Sequence, residues 1–161
     1  MIDNIPNYPM DCAGKKVVVV GGGAVGLDVC EFFANRGAEP TIIEMAPGIG
    51  TLLDPVTKAQ VKTMFKDHNV TQMVNTALKE VHEDYFVVER NGERMEIPFD
   101  YGFNCLGMRA NNPILNELNE FYKDSNVEVY NIGDSIRARQ IIFGVQEGRN
   151  IINVLKQKDL L

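Results

Sequence analysis

Four valines run straight into three glycines at residues 17–23, and no other feature of the 161-residue chain restricts its fold so tightly. A continuous apolar run is the pattern of a parallel strand covered on both faces. Glycine loses more conformational freedom on folding than any other residue, so three in succession at a strand's end need a local reason. The period then changes to that of a helix from Ala24 to Arg36, with Val25, Val29, Phe32 and Phe33 to one side. Gly37 sits where a helix C-cap glycine belongs. "PTIIE", residues 40–44, reads as a second strand, with Pro40 tolerated at its first position. Residues 15–44 thus predict strand, helix and strand in one parallel crossover.

Gly21, Gly23 and Gly26 fit G-x-G-x-x-G. Gly21 lets the chain turn out of the strand, Gly23 lets a pyrophosphate approach the backbone, and Gly26 lets the helix pack closely on the strand. The helix N-terminus then offers free N–H groups and a positive dipole end to the phosphates. Glu44 follows Gly26 by 18 residues and is placed to accept hydrogen bonds from ribose hydroxyls. The full context, strand before and helix after, points to a dinucleotide site rather than a glycine-rich turn without a ligand. The candidate contacts are Gly21, Gly22, Gly23, Ala24, Val25 and Gly26 in the turn, then Glu44 and Met45. Gly107 joins them from the end of a later strand, with Asn104 and Asn111 nearby. Glu44 would repel a 2′-phosphate, and "MAPGIGTLL" after it holds no Arg or Lys, so NAD(H) is expected over NADP(H). The turn alone does not separate NAD from FAD, since both present an adenosine diphosphate.

A net charge of −6 argues against a nucleic-acid partner and gives no reason to expect an anionic membrane surface. Val17 to Val20 is far too short to span a bilayer, and no signal peptide is visible, so a cytoplasmic location is expected. Cys12, Cys30 and Cys105 form no CxxC pair, and His68 and His82 lie in polar surroundings, so no metal site is expected. No residue reads as catalytic.

Further along, Asp54-Pro55 predicts a helix N-cap followed by proline at the first helical position, with the helix running to Lys66. "NVTQMV" predicts a third strand. Asn91-Gly92, between "YFVVE" and "RMEI", predicts a tight hairpin, and with Leu78 to His82 an antiparallel meander. "YGFNCLG" and "NVEVYNIGD" predict two more strands. A final helix is expected over Ile136–Lys156, with Ile141, Val145, Ile152 and Leu155 on its apolar face. The expected class is α/β: a Rossmann-like parallel sheet with an antiparallel β-meander crossover, of three-layer ββα type. Residues 1–14 are expected as an irregular lead-in and 15–161 as a single dinucleotide-binding domain.

"KKVVVVGGGAVGLDV…TIIE", the meander, "NCLGMRANN" and "VYNIGDSIRARQIIFGVQEGRNI" occur in the order seen in two-dinucleotide flavoprotein reductases of the pyridine nucleotide-disulfide oxidoreductase type. Within that group the chain resembles the C-terminal part of NADH:flavin oxidoreductases related to 2-enoate reductase and 2,4-dienoyl-CoA reductase. The resemblance implies that "GGGAVGLD", with Asp28, is the nicotinamide-binding copy of the glycine motif, spanning about residues 15–110 with its sheet. It implies that about 127–157 is the returning piece of an FAD domain, with Asp134 meeting the flavin ribityl chain. The partners implied are NADH and the flavin domains of the same polypeptide. FAD belongs to the full-length enzyme, and FMN and an iron–sulfur cluster are compatible with parts that have no counterpart here. The chain is then expected to be an excised domain, inactive alone, that positions nicotinamide for hydride transfer to a flavin. The alternative is a non-catalytic dinucleotide-binding or sensing module.

Overall fold

The computed structural model of the chain describes residues 7–158. Two compact units divide it, one ending at Gly107 and the other starting at Met108.

The first unit is built on strand β1 (Lys16–Val20), whose four valines are all buried. It pairs in parallel with β2 (Glu39–Ile43) on one side and with β7 (Tyr101–Asn104) on the other. Strand β3 (Thr71–Met73) adds outside β2, giving the order β3-β2-β1-β7. Side chains alternate across a strand, so β1 serves two cores at once. Val17 and Val19 pack with Leu27, Val29, Cys30 and Phe33 of helix α1 (Ala24–Ala34), and with Phe65 of helix α2 (Pro55–Asp67). Val18 and Val20 face the other way, onto Phe86 and Val88. Those two belong to an antiparallel sheet of β4 (Thr76–Val81), β5 (Tyr85–Arg90) and β6 (Glu93–Pro98). The layers are helices, parallel sheet and meander, the expected α/β class.

Local chemistry sets the ends of these elements. Asp54 caps α2 by accepting from the Val56 and Thr57 N–H groups at 2.9 and 3.1 Å and from the Thr57 hydroxyl at 2.5 Å. Those bonds hold the Asp54 carboxyl below its usual range, the Thr57 hydroxyl contributing most. Helix α1 stops as Gly37, at φ +80°, donates to the Ala34 carbonyl while Ala38 reaches back to Phe33, the paired bonds of a Schellman end. Asn69, at φ +51°, does the same for α2, with Val70 donating to the Phe65 carbonyl. Asn91 and Gly92, at φ +55° and +84°, close the β5–β6 hairpin with the two left-handed residues a type I′ turn needs.

The second unit holds helix α3 (Pro113–Phe121), a 3₁₀ turn at Gly133–Ser135 and helix α4 (Ile141–Gln157). Four features depart from expectation here. Helix α3 is additional to the predicted elements. "NVEVYNIGD" is not a strand: no described segment pairs with it, so its extended pattern has no ladder to join. The last helix begins at Ile141 rather than Ile136, because the preceding backbone is already committed to a turn. The Ile136 and Arg137 N–H groups donate to the Gly133 carbonyl, and the Arg139 N–H donates to Asp134 Oδ1 at 3.3 Å. Its expected apolar face is also turned outward, with Ile141, Val145 and Ile152 exposed and Leu155 half-buried. The side carrying Gly144 and Gly148 meets the Ile132–Gly133 segment instead, at distances a Cβ could occupy.

Among the described residues no helix is long and apolar enough to cross a membrane.

Candidate functional site

The carboxyl ends of β2, β1 and β7 lie side by side, Val20 being in register with Ile43 on one flank and Asn104 on the other. From β1 the chain travels outward through β2 to β3, then returns to the opposite side of β1 as β7. The reversal makes the β1/β7 boundary a topological switch point, the place where open α/β sheets bind ligands. The glycine turn sits on that boundary.

Each glycine of the turn answers a different demand. Gly21 has φ +111°, which L side chains rarely adopt, and a Cβ there would overlap the Cys105 carbonyl just beyond β7. Gly26 abuts the Gly21 carbonyl, so the start of α1 lies directly on the turn. A Cβ on Gly22 would come within 3.1 Å of both Glu44 Oε2 and Ile49 Cγ2. Gly23 is different: it is exposed, its φ of −82° suits any residue, and a Cβ would meet nothing within 4 Å. It is the N-cap of α1 and provides no side-chain cap, which leaves first-turn N–H groups facing outward at the positive end of the helix. Ala24 and Val25 are exposed beside it.

Glu44 lies one residue past β2, half-buried, with each carboxylate oxygen engaged. Oε2 accepts from the Gly22 N–H at 2.7 Å and Oε1 from the Ala46 N–H at 2.7 Å. Met45 is 73% exposed beside it. Gly107, at φ +87°, is exposed three residues beyond β7 with open space around it. The structure thus gathers Gly21–Gly26, Glu44 and Met45 at the ends of β1 and β2, with Gly107 following the strand on the other flank. Asp134 lies in the second unit, inside the 3₁₀ turn. There Glu147 accepts from the Gly133 N–H at 2.6 Å and pairs with Arg139, and the Arg139 bond is the main reason the Glu147 carboxyl is held low.

Some participants were not anticipated from the sequence. The Gly50 N–H donates to the Gly22 carbonyl at 2.8 Å, which ties the loop after β2 to the glycine turn. Gly50 has φ +63°, and "PGIG" was the signal. Lys58 reaches back to the Thr51 carbonyl at 3.0 Å, so the loop is met by one cation from α2. His82 stacks on Tyr85 and His68 ends α2; among the described residues no group of three His, Cys, Asp or Glu side chains could hold a metal ion.

Residues 3–148 match the family described as pyridine nucleotide-disulphide oxidoreductase. The chain belongs to that family. Members of the pyridine nucleotide-disulphide oxidoreductase family are flavin-dependent enzymes that use NAD(P). Dihydrolipoyl dehydrogenase of Acholeplasma laidlawii is 31% identical over 143 residues, covering 81% of this chain and 41% of that protein. NADH oxidase of Thermoanaerobacter brockii is 27% identical over 135 residues, covering 83% of this chain and 20% of that protein. Among solved structures, 2-naphthoyl-CoA reductase aligns with a TM-score of 0.66 at 25% identity, over 84% of this chain and 20% of its own. Histamine dehydrogenase from Rhizobium sp. 4-9, at 18% identity and a TM-score of 0.71, shares the fold over 92% of this chain and 24% of its own. The chain spans about a fifth to two fifths of the length of these relatives.

Proposed function

We propose that the unit ending at Gly107 binds NADH and holds it so that its nicotinamide can pass a hydride to a flavin carried elsewhere in the same enzyme. The observation that carries this reading is Gly23. Among the described residues nothing requires a glycine there, since a Cβ would enter open space, yet the residue caps a helix start whose first-turn N–H groups have no side-chain partner. A ligand that must touch the backbone explains the residue. NADH would supply the hydride, while the protein supplies position and electrostatics. The first turn of α1 would receive the pyrophosphate, with Gly21, Gly22 and Gly26 giving the turn its shape. Glu44 would take the ribose hydroxyls on its remaining lone pairs, beside Met45, and Gly107 would border the nicotinamide side.

On the same reading the chain is the nicotinamide-binding part of an enzyme of the 2-enoate reductase and 2,4-dienoyl-CoA reductase type, inactive alone. The segment about 127–157 is then the returning piece of the FAD domain. The exposure of Asp134 supports a contact to the flavin ribityl chain, and Asp134→Ala should lower the flavin content of the longer enzyme.

Titration calorimetry with NADH and NADPH tests the central statement. A 2′-phosphate held near the Glu44 carboxylate meets a like charge worth about 1–4 kcal/mol at 4 Å. NADH should therefore bind roughly tenfold or more tightly, since tenfold needs only ~1.4 kcal/mol. Equal affinities, or a preference for NADPH, would remove Glu44 from the site; absence of NADH binding would remove the site.

A further inference from the structure

The second glycine of the turn, Gly22, occupies a position that G-x-G-x-x-G leaves open, and the structure shows what its bare Cα admits. A Cβ there would press to 3.1 Å on Glu44 Oε2 and on Ile49 Cγ2. Its absence lets the carboxylate reach the Gly22 N–H at 2.7 Å. Three polar backbone groups of the turn are then held from the β2 side. The Gly21 N–H goes to the Ile43 carbonyl at 2.8 Å, the Gly22 carbonyl receives Gly50, and the Gly22 N–H goes to Glu44.

Glu44 is itself fixed in several directions. Its N–H donates to the Met73 carbonyl at 2.9 Å at the end of β3, and its carbonyl accepts from Thr76 at 3.0 Å at the start of β4. Oε1 is held by the Ala46 N–H. Thr76 is 1% exposed and anchored by its hydroxyl to the Val74 carbonyl. The residue bridges the parallel sheet and the meander, and its carboxylate carries that rigidity into the turn.

We propose that Glu44 is a positioning residue for the glycine turn, holding the Gly22 N–H so that the turn stands in its ligand-ready shape before any nucleotide arrives. This rests on the dinucleotide reading for its purpose, but not for its geometry. A carboxylate offers about four lone-pair sites. Two backbone amides use one on each oxygen, which leaves one on each for a ribose diol. Shaping the turn and receiving the ligand therefore coexist, and the Gly22 amide stays bonded in both states.

Amide hydrogen exchange followed by NMR on the ligand-free chain separates this role from a ribose contact. In Glu44→Ala, exchange at Gly22 and Ala46 should accelerate roughly tenfold or more, a lost protection of ~1.4 kcal/mol. Val18 and Val19 in β1 should stay protected, reporting that the sheet is intact. Glu44→Gln keeps one carbonyl acceptor and should restore protection to one of the two amides. If Glu44→Ala melts the sheet, Gly22→Ala provides the second approach, because its Cβ forces the carboxylate back and should speed exchange at residue 22 while Glu44 remains. Unchanged exchange at residue 22 in an intact variant overturns the proposal, even if NADH binding weakens, and leaves Glu44 as a ribose acceptor alone. Failure of the unaltered chain to bind NADH would overturn the dinucleotide reading and leave the exchange result standing.

Discussion

Gly26→Ala sets two effects against each other, and the structure decides between them. Gly26 is helical, so alanine would by propensity alone stabilise α1 by up to about 1 kcal/mol. Against this, the new Cβ would penetrate the Gly21 carbonyl oxygen and stand 3.1 Å from its carbon and 3.3 Å from Val19 Cγ1. The obstructing group is backbone fixed at the end of β1, so no rotamer change relieves it. Helix α1 must move off the sheet, loosening Val29, Cys30 and Phe33, all fully buried. Overpacking of this kind costs about 1–3 kcal/mol, and a backbone obstruction belongs at the upper end. The net expectation is about 2 kcal/mol of destabilisation, or a melting midpoint lower by roughly 8–16 °C for a unit of about a hundred residues.

Gly23→Val is the matched control. Its Cβ enters open space and its backbone angles suit valine, so thermal stability should change by less than about 1 kcal/mol, the scale of an N-cap exchange. NADH binding should be lost nonetheless. Melting curves by circular dichroism and calorimetric titration of both variants complete the test. If Gly26→Ala melts with the unaltered chain, or if Gly23→Val melts as low as Gly26→Ala, the division of the glycines between packing and ligand is wrong.

Two further outcomes are expected. Because the folded Asp54 carboxyl lies below its usual range, its capping contribution should be complete above about pH 4, the unfolded Asp value, and decline as pH falls through the lowered folded value. Asp54→Asn, which keeps an acceptor, should flatten that part of the stability–pH profile, and a variant with the original profile would contradict the cap. Burial pushes the Cys30 thiol up to about 12, so iodoacetamide at pH 8 should leave it unmodified until the chain is unfolded. Labelling of the native protein at Cys30 would show that α1 opens from the sheet.

The most legible elements were those specified by neighbours in sequence. Valines followed by glycines announced β1 and its turn, Asp54-Pro55 announced α2, and Asn91-Gly92 announced the hairpin, because each signal acts over a few residues. The strand expected at "NVEVYNIGD" shows the limit of such signals. Val127 and Val129 alternating around Glu128, with Tyr130 next, suit a strand, but a ladder needs a second segment that no local pattern supplies. Helix α3 had a usable sign in Asn112-Pro113, with proline at its first turn, but none of its nine residues is fully buried and it offered only a short apolar rhythm. Glu44 was recognised by its spacing, whereas its bond to Gly22 joins residues 22 apart and depends on where β2 ends relative to β1.

The pairing of β7 with β1 also bears on the order in which the sheet can form. The amino end of that pair is marked by the Lys16 N–H on Asp100, two residues 84 apart in the chain. Turns of helix and the β5–β6 hairpin need only neighbours and form within about 10 μs, whereas joining β7 to β1 closes a loop that spans nearly the whole unit. During synthesis the glycine turn, both helices and the meander leave the ribosome before Tyr101–Asn104 are available. The switch-point crevice is therefore the last part of the sheet to exist. A nascent or clipped chain ending before residue 100 carries the complete glycine motif and Glu44, yet has only one wall of the cleft they border.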